Sequence, residues 1–132
     1  MAGETDLAKL IRDMNPELNP GEYVFCTLEP EAGPVNLEPM GWFREREGIT
    51  VILPKNQADE LALPYSFVSR WITLTVHSAL EAVGLTAAVS QALAQAGISC
   101  NIVAAYYHDH LFVPARDAGQ ALEILQSLAH PP

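Results

Sequence analysis

Near the C-terminus the chain reads YYHDHLFVP over residues 106–114, setting His108, Asp109 and His110 side by side. No other stretch packs potential metal ligands and proton carriers so densely. Four chemistries compete for it. On a strand, His108 and His110 would point the same way and could share a metal, with His77 as a third nitrogen, as in catalytic zinc sites. In a turn that geometry fails, and no HExxH-like helical pair supports it. His108 with Asp109 could serve as a general acid/base pair. However, no nucleophile in a recognisable setting and no cofactor fingerprint accompanies them. Asp109 could form the lip of a small-molecule pocket. Or Asp109 simply makes an Asx turn with exposed histidines beside it. The elements that carry these residues must decide.

The 132 residues suffice for one ordinary domain or two very small ones. Just under half are apolar and 17% are charged, a composition too hydrophobic for disorder. The net charge of −9 argues against nucleic-acid backbones and anionic membrane surfaces as partners. The two cysteines, Cys26 and Cys100, have no CxxC spacing and sit in apolar runs, where a thiol packs as a small hydrophobe. The N-terminus does not read as a secretory signal. No stretch approaches the roughly 18 apolar residues of a membrane span. The expectation is a cytoplasmic protein without cofactors.

Thr5 suits a helix N-cap, with Leu7, Leu10, Ile11 and Met14 on one face beyond it; Pro16, Pro20 and Gly21 end that helix. GEYVFCTLEP reads as a strand, and the proline-rich stretch 29–40 as a loop. GWFREREGITVILP reads as a hairpin turning at Glu47-Gly48, with FREREG as a solvated, charge-paired surface; KNQADELAL follows as a short helix. RWITLTVH, residues 70–77, alternates: Ile72, Leu74 and Val76 face one way, and Trp71, Thr73, Thr75 and His77 the other. A helix over 85–96 carries the stripe Leu85, Val89, Ala92, Leu93 and Ala96, with Gly97 closing it. SCNIVAAYY and DHLFVP are strands, and Asp117 caps a last helix that turns Ala118, Leu122, Leu125 and Ala129 inward. Each half is thus an incomplete βαββαβ. Residues 1–69 lack an opening strand, and residues 70–132 lack a closing one.

GLTAAVSQALAQAGISCNIV resembles the ACT-domain pattern: a strand, a loop ending in glycine plus an aliphatic residue, a helix, then AGI leading into a second strand. The whole chain is similar to small stand-alone bacterial proteins of two ACT-like units, and to the ACT modules of aspartate kinases and arginine sensors. The resemblance implies an α+β fold of two ferredoxin-like units with antiparallel sheets. It also implies a non-catalytic regulatory or sensor role, an amino acid or similar metabolite as ligand, a homo-oligomer, and a separate regulated enzyme as partner.

The ACT ligand loop maps onto residues 78–86. In βαββαβ topology the end of the first strand and the second–third hairpin share one edge of the sheet. That places His77, Ser78 and Glu81 near the turn at Tyr107–His110. The helix start at residues 84–87 offers backbone N–H groups and a positive dipole end to a ligand carboxylate, so Val83, Gly84, Leu85 and Thr86 count among the expected ligand-binding residues, Thr86 adding a hydroxyl. Glu81 or Asp109 could receive an ammonium group. Gly84 also has the plainer role of letting the loop enter the helix. Two alternatives stand beside this reading. One is metal binding or catalysis by the His77/His108/His110 cluster. The other is a pure oligomerisation module using sheet edges or the semi-polar face of Trp71, Thr73 and Thr75.

Overall fold

The structure is a computed structural model that describes residues 3, 6–32, 37–77, 79 and 83–132. In chain order the elements are α1 (Leu7–Asp13), β1 (Pro16–Leu18), β2 (Tyr23–Leu28), β3 (Gly41–Arg44), β4 (Ile49–Pro54), α2 (Lys55–Glu60), β5 (Val68–Leu74), α3 (Leu85–Gln95), β6 (Asn101–Ala104), β7 (Asp109–Pro114) and α4 (Ala118–Ala129). A single 3₁₀ turn, Ala115–Asp117, leads into α4. The chain forms two compact units, one of residues 1–20 with 70–132, the other of residues 21–69.

The larger unit has strand order β1-β5-β7-β6, with β6 antiparallel to β7 and β1 antiparallel to β5. This is a complete ferredoxin-like sheet. Its closing strand, expected to be missing from residues 70–132, is β1 from the N-terminus. Backbone bonds from Thr75 to Asn15 (3.1 Å) and from Asn19 to Trp71 (2.8 Å) continue the ladder on both sides of it. Leu10, Met14, Ile72, Leu74, Leu85, Val89, Leu93, Leu111, Val113 and Leu125 form the centre of the core. The β5 alternation is as expected: Ile72 and Leu74 are buried in this core. The helical stripes shift at their edges. Ala96 is exposed where the chain leaves α3, and Ala121 rather than Leu122 is fully buried in α4.

The helix ends follow capping chemistry. Asp6 caps α1, its carboxylate accepting from Ala8 N at 3.1 Å and Lys9 N at 3.5 Å. Thr5, expected in that role, lies outside the described residues. The end of α3 is a Schellman motif. Gly97, at φ +74°, donates to Ala94 O and Ile98 donates to Leu93 O, while Ile98 and Leu93 share the core. Asp117 precedes α4 without a capping side-chain bond, so the expected cap is not made. There the 3₁₀ turn leads the chain into the helix.

The smaller unit has strand order β3-β4-β2, with β2 also pairing Val68 and Ser69 at the start of β5. Its opening strand is therefore present: it is β2. The position of a first helix is taken by the segment 29–40, whose described part is turn and irregular chain. Val24, Cys26, Ile49, Val51, Leu53 and Ala58 make its core.

The same hairpin recurs in both units at a shift of 60 positions: 41–44 and 49–54 in one, 101–104 and 109–114 in the other. Each turn is closed by one backbone bond, Glu45 N to Gly48 O at 3.0 Å and Ala105 N to His108 O at 3.1 Å. Each ends in a proline, Pro54 or Pro114, whose extended backbone precedes a helical turn. Both cysteines are free; burial raises the Cys26 thiol and pushes Cys100 up to about 11, which suits packing rather than reactivity.

Candidate ligand site

The end of β5 and the β6–β7 turn lie together in the unit that also carries the start of α3. Beyond Leu74, Thr75 anchors the chain through its N–H and its hydroxyl, both donating to Asn15 O at 3.1 and 2.9 Å. Val76 O lies 3.4 Å from His108 Nδ1. The His77 ring then lies 5.7 Å from Tyr107 and 6.4 Å from Tyr106. The end of β5 and the hairpin turn therefore meet. Ser78 and Glu81 lie outside the described residues.

Gly84 occupies the N-cap position of α3 at φ +104°, and its carbonyl accepts the first helical bond from Ala88 N at 2.8 Å. Among the described residues no side chain caps this helix start, and its first turn carries no acidic residue. Leu85 is buried and fixes the helix start to the core, whereas Val83 is almost fully exposed. Thr86 is half-buried, and its carbonyl accepts from the Ser90 hydroxyl at 2.6 Å. Sequence reasoning read Leu7 only as part of a core stripe. Its side chain in fact lies over Gly84, where a Cβ would come within 2.9 Å of Leu7 Cδ2. The signal for this contact is tertiary, because α1 packs in the unit of residues 70–132.

Asp109 opens β7 opposite Ala104 and is only 5% exposed. It shares the inward face of β7 with Leu111 and Val113. It is thus a buried carboxylate behind the turn, not an exposed lip. The two histidines separate. His108 stays in the turn. His110 lies on the opposite face of β7, where Trp71 Nε1 donates to its Nδ1 at 3.0 Å and Thr73 Oγ1 lies 3.2 Å from the same nitrogen. Asn19 Nδ2 supports this group by donating to Thr73 Oγ1 at 2.9 Å, and Trp71 stacks on Phe112. Among the described residues no group of three or more His, Cys, Asp or Glu side chains could hold a metal.

Trp71 can only donate, so Nδ1 of His110 must be unprotonated in this arrangement. Burial, chiefly, and the neighbouring His108 lower the His110 pKa from its ordinary 6.5, while Asp109 opposes them. The folded state then binds the His110 proton less readily than the unfolded state. Stability is expected to be full above about pH 6.5 and to fall as the pH drops through the window between that value and the folded pKa. Urea unfolding between pH 7.5 and 5, followed through Trp71 in a Trp42→Phe background, measures this. His110→Gln should flatten the profile.

Models of the ACT-domain family match residues 2–70 and 66–127. The chain belongs to the ACT-domain family. A crystal structure of a Vibrio cholerae protein of unknown function, described as a possible transport protein, is 47% identical over 94% of this chain and 96% of that one, with a TM-score of 0.84. The regulatory subunit of aspartate kinase from Thermus thermophilus, in ligand-free form, shares the fold at 11% identity and a TM-score of 0.61, covering 86% of this chain and 95% of its own. Escherichia coli aspartokinase III in complex with aspartate and ADP shares it at 14% identity and a TM-score of 0.60, covering 90% of this chain and 33% of its own. No curated protein matches the chain. The two ACT matches meet near residue 70. Packing instead groups residues 1–20 with the second of them. Among the described residues no helix is long and apolar enough to cross a membrane.

Proposed function

We propose that this ACT protein is a non-catalytic regulatory or sensor protein. Its ligand is an amino acid or similar small metabolite, held at the start of α3 in the C-terminal of two ACT sequence units, 1–69 and 70–132. One observation carries the reading: the α3 N-terminus is opened by Gly84 in a left-handed conformation, carries no side-chain cap among the described residues, and is fixed from behind by buried Leu85. A helix start of this kind receives a carboxylate on backbone N–H groups and the positive dipole end. Thr86 adds a hydroxyl, and Glu81 is the candidate for the ligand's ammonium end, with Ser78 in the same loop. Ligand-responsive regulation is in keeping with the ACT family and with the aspartate-kinase regulatory subunits that share its fold. In this reading the protein is a cytoplasmic homo-oligomer that passes its signal to a separate enzyme.

Thermal-shift titration against the twenty amino acids tests it. A ligand at 100 times its Kd adds about 2.7 kcal/mol to the folded state, enough to move the melting temperature by several degrees. One amino acid or a small chemical group of them is expected to give such a shift. If all twenty at millimolar concentration leave the midpoint unchanged, the sensor reading is wrong.

A further inference from the structure

The two copies of the hairpin provide an internal control. Their turns have the same length and the same closing backbone bond. One presents Arg46 and Glu47 to solvent, as an ordinary exposed turn does; the other presents Tyr106 and Tyr107, 60% and 64% exposed. The turn itself does not require aromatic residues, because the charged copy makes it equally well. The tyrosines are also organised. Tyr106 and Tyr107 meet edge to face at 4.9 Å, and the His77 ring touches both. Three rings from two segments thus form one surface, in the same unit as the proposed ligand site.

Charge narrows what that surface can take. From Trp71 to Ala115 the chain has no lysine or arginine. Two ring faces elsewhere carry the protein's own cations: among the described residues Arg44 lies over Trp42 at 5.7 Å and Lys55 over Tyr65 at 6.0 Å. The Tyr106–Tyr107–His77 rings have no such partner among the described residues. Aromatic faces attract ammonium and guanidinium groups through the ring quadrupole. The net charge of −9 raises the local concentration of cations further.

We infer that the Tyr106, Tyr107 and His77 rings form a subsite for the positive end of an organic cation, so that the ligand is an amino-acid-like molecule with a positively charged side chain. This rests on the ligand site proposed at α3 and adds a specificity surface to it. Isothermal titration of the full chain with arginine, lysine and trimethyllysine, each set against neutral citrulline or norleucine, tests it. At least one cation should bind on the order of tenfold more tightly than its neutral counterpart. Tyr106→Ala/Tyr107→Ala should erase that preference, while Tyr106→Phe/Tyr107→Phe should keep it because the ring faces remain. Both rings are exposed, so the melting temperatures of these variants should match that of the parent chain. Equal binding of cations and neutral counterparts, or a preference untouched by the alanine pair, overturns the subsite. Binding of a neutral or acidic amino acid that Gly84 substitution removes overturns the subsite and leaves the α3 site standing. Failure of every amino acid to bind overturns both.

Discussion

A chain lacking residues 1–20 is expected to lose the cooperative fold of residues 70–132. The reason is quantitative. Leu10 and Met14 are 0% and 1% exposed within the core of that unit. Truncating either to alanine costs about 2–5 kcal/mol, against a total of about 5–15 kcal/mol for a domain. Removing both already rivals the whole stability. The deletion also takes away β1, whose three residues pair with β5, and the Asn15 carbonyl that holds Thr75. It takes away Asn19 as well, whose carbonyl accepts from Arg70 Nη2 and whose amide donates to the Trp71 carbonyl and the Thr73 hydroxyl. Hydrogen exchange at β5 and β7 amides should change from protected to fast. Met14→Ala alone should lower the urea midpoint while leaving the slope unchanged, and exposed Arg12→Ala should stay within about 0.5 kcal/mol. Protection of β5 and β7 that survives the deletion would show that residues 1–20 are not part of that core.

The same strand explains what the sequence did and did not disclose. β5, α3, the hairpins and α4 were legible because their apolar residues recur with period 2 or 3.6 and their ends carry glycine or proline. β1 was not. Three residues are too short for an alternation, and Pro16 and Pro20 read as helix terminators. Pro16 is tolerated because it stands first in an edge strand, where no ladder donor is lost. Without β1, β2 reads as the second strand of its unit and the larger sheet reads as open. The candidate site shows the same division. The convergence of the β5 end on the β6–β7 turn was legible from topology alone, since βαββαβ order fixes which strand ends share an edge. Which face each side chain takes was not legible. His108 and His110 look equivalent in YYHDHLFVP, yet the strand begins between them, at Asp109. One stays in the turn and the other is drawn to the indole N–H of Trp71. In the sequence Asp109 reads as a pocket-lip carboxylate or the residue of an Asx turn. The parity it shares with Leu111 and Val113 turns it inward instead.

Gly84→Ala is expected to destabilise the protein by about 1–3 kcal/mol, and Gly84→Val by more, for a reason that lies in the backbone rather than in packing. Two effects compete at this position. An added Cβ would meet Leu7 Cδ2 at 2.9 Å, which is too close. But Leu7 is 37% exposed and its Cδ2 is the far end of a flexible side chain, so it can swing aside at small cost. The φ of +104° cannot relax in the same way, because buried Leu85 fixes the next residue to the core. Strain in the left-handed region should therefore dominate. A double-mutant cycle with Leu7→Ala decides between them. The coupling should stay below about 0.5 kcal/mol if the backbone dominates, and should approach the full cost if the contact with Leu7 does. Valine is worse than alanine because a β-branched residue is an outlier at positive φ. The functional consequence is separable from the stability one. A residue with a Cβ resists the φ of +104° that opens α3, and a shift of this backbone moves the N–H groups that a ligand carboxylate would bind. Gly84→Ala should then lose the ligand-induced rise in melting temperature, while Leu122→Ala, at a half-buried position on α4, lowers the melting temperature but retains that rise. If Gly84→Ala keeps the full rise, the glycine serves only to admit the chain into the helix, and the ligand binds elsewhere.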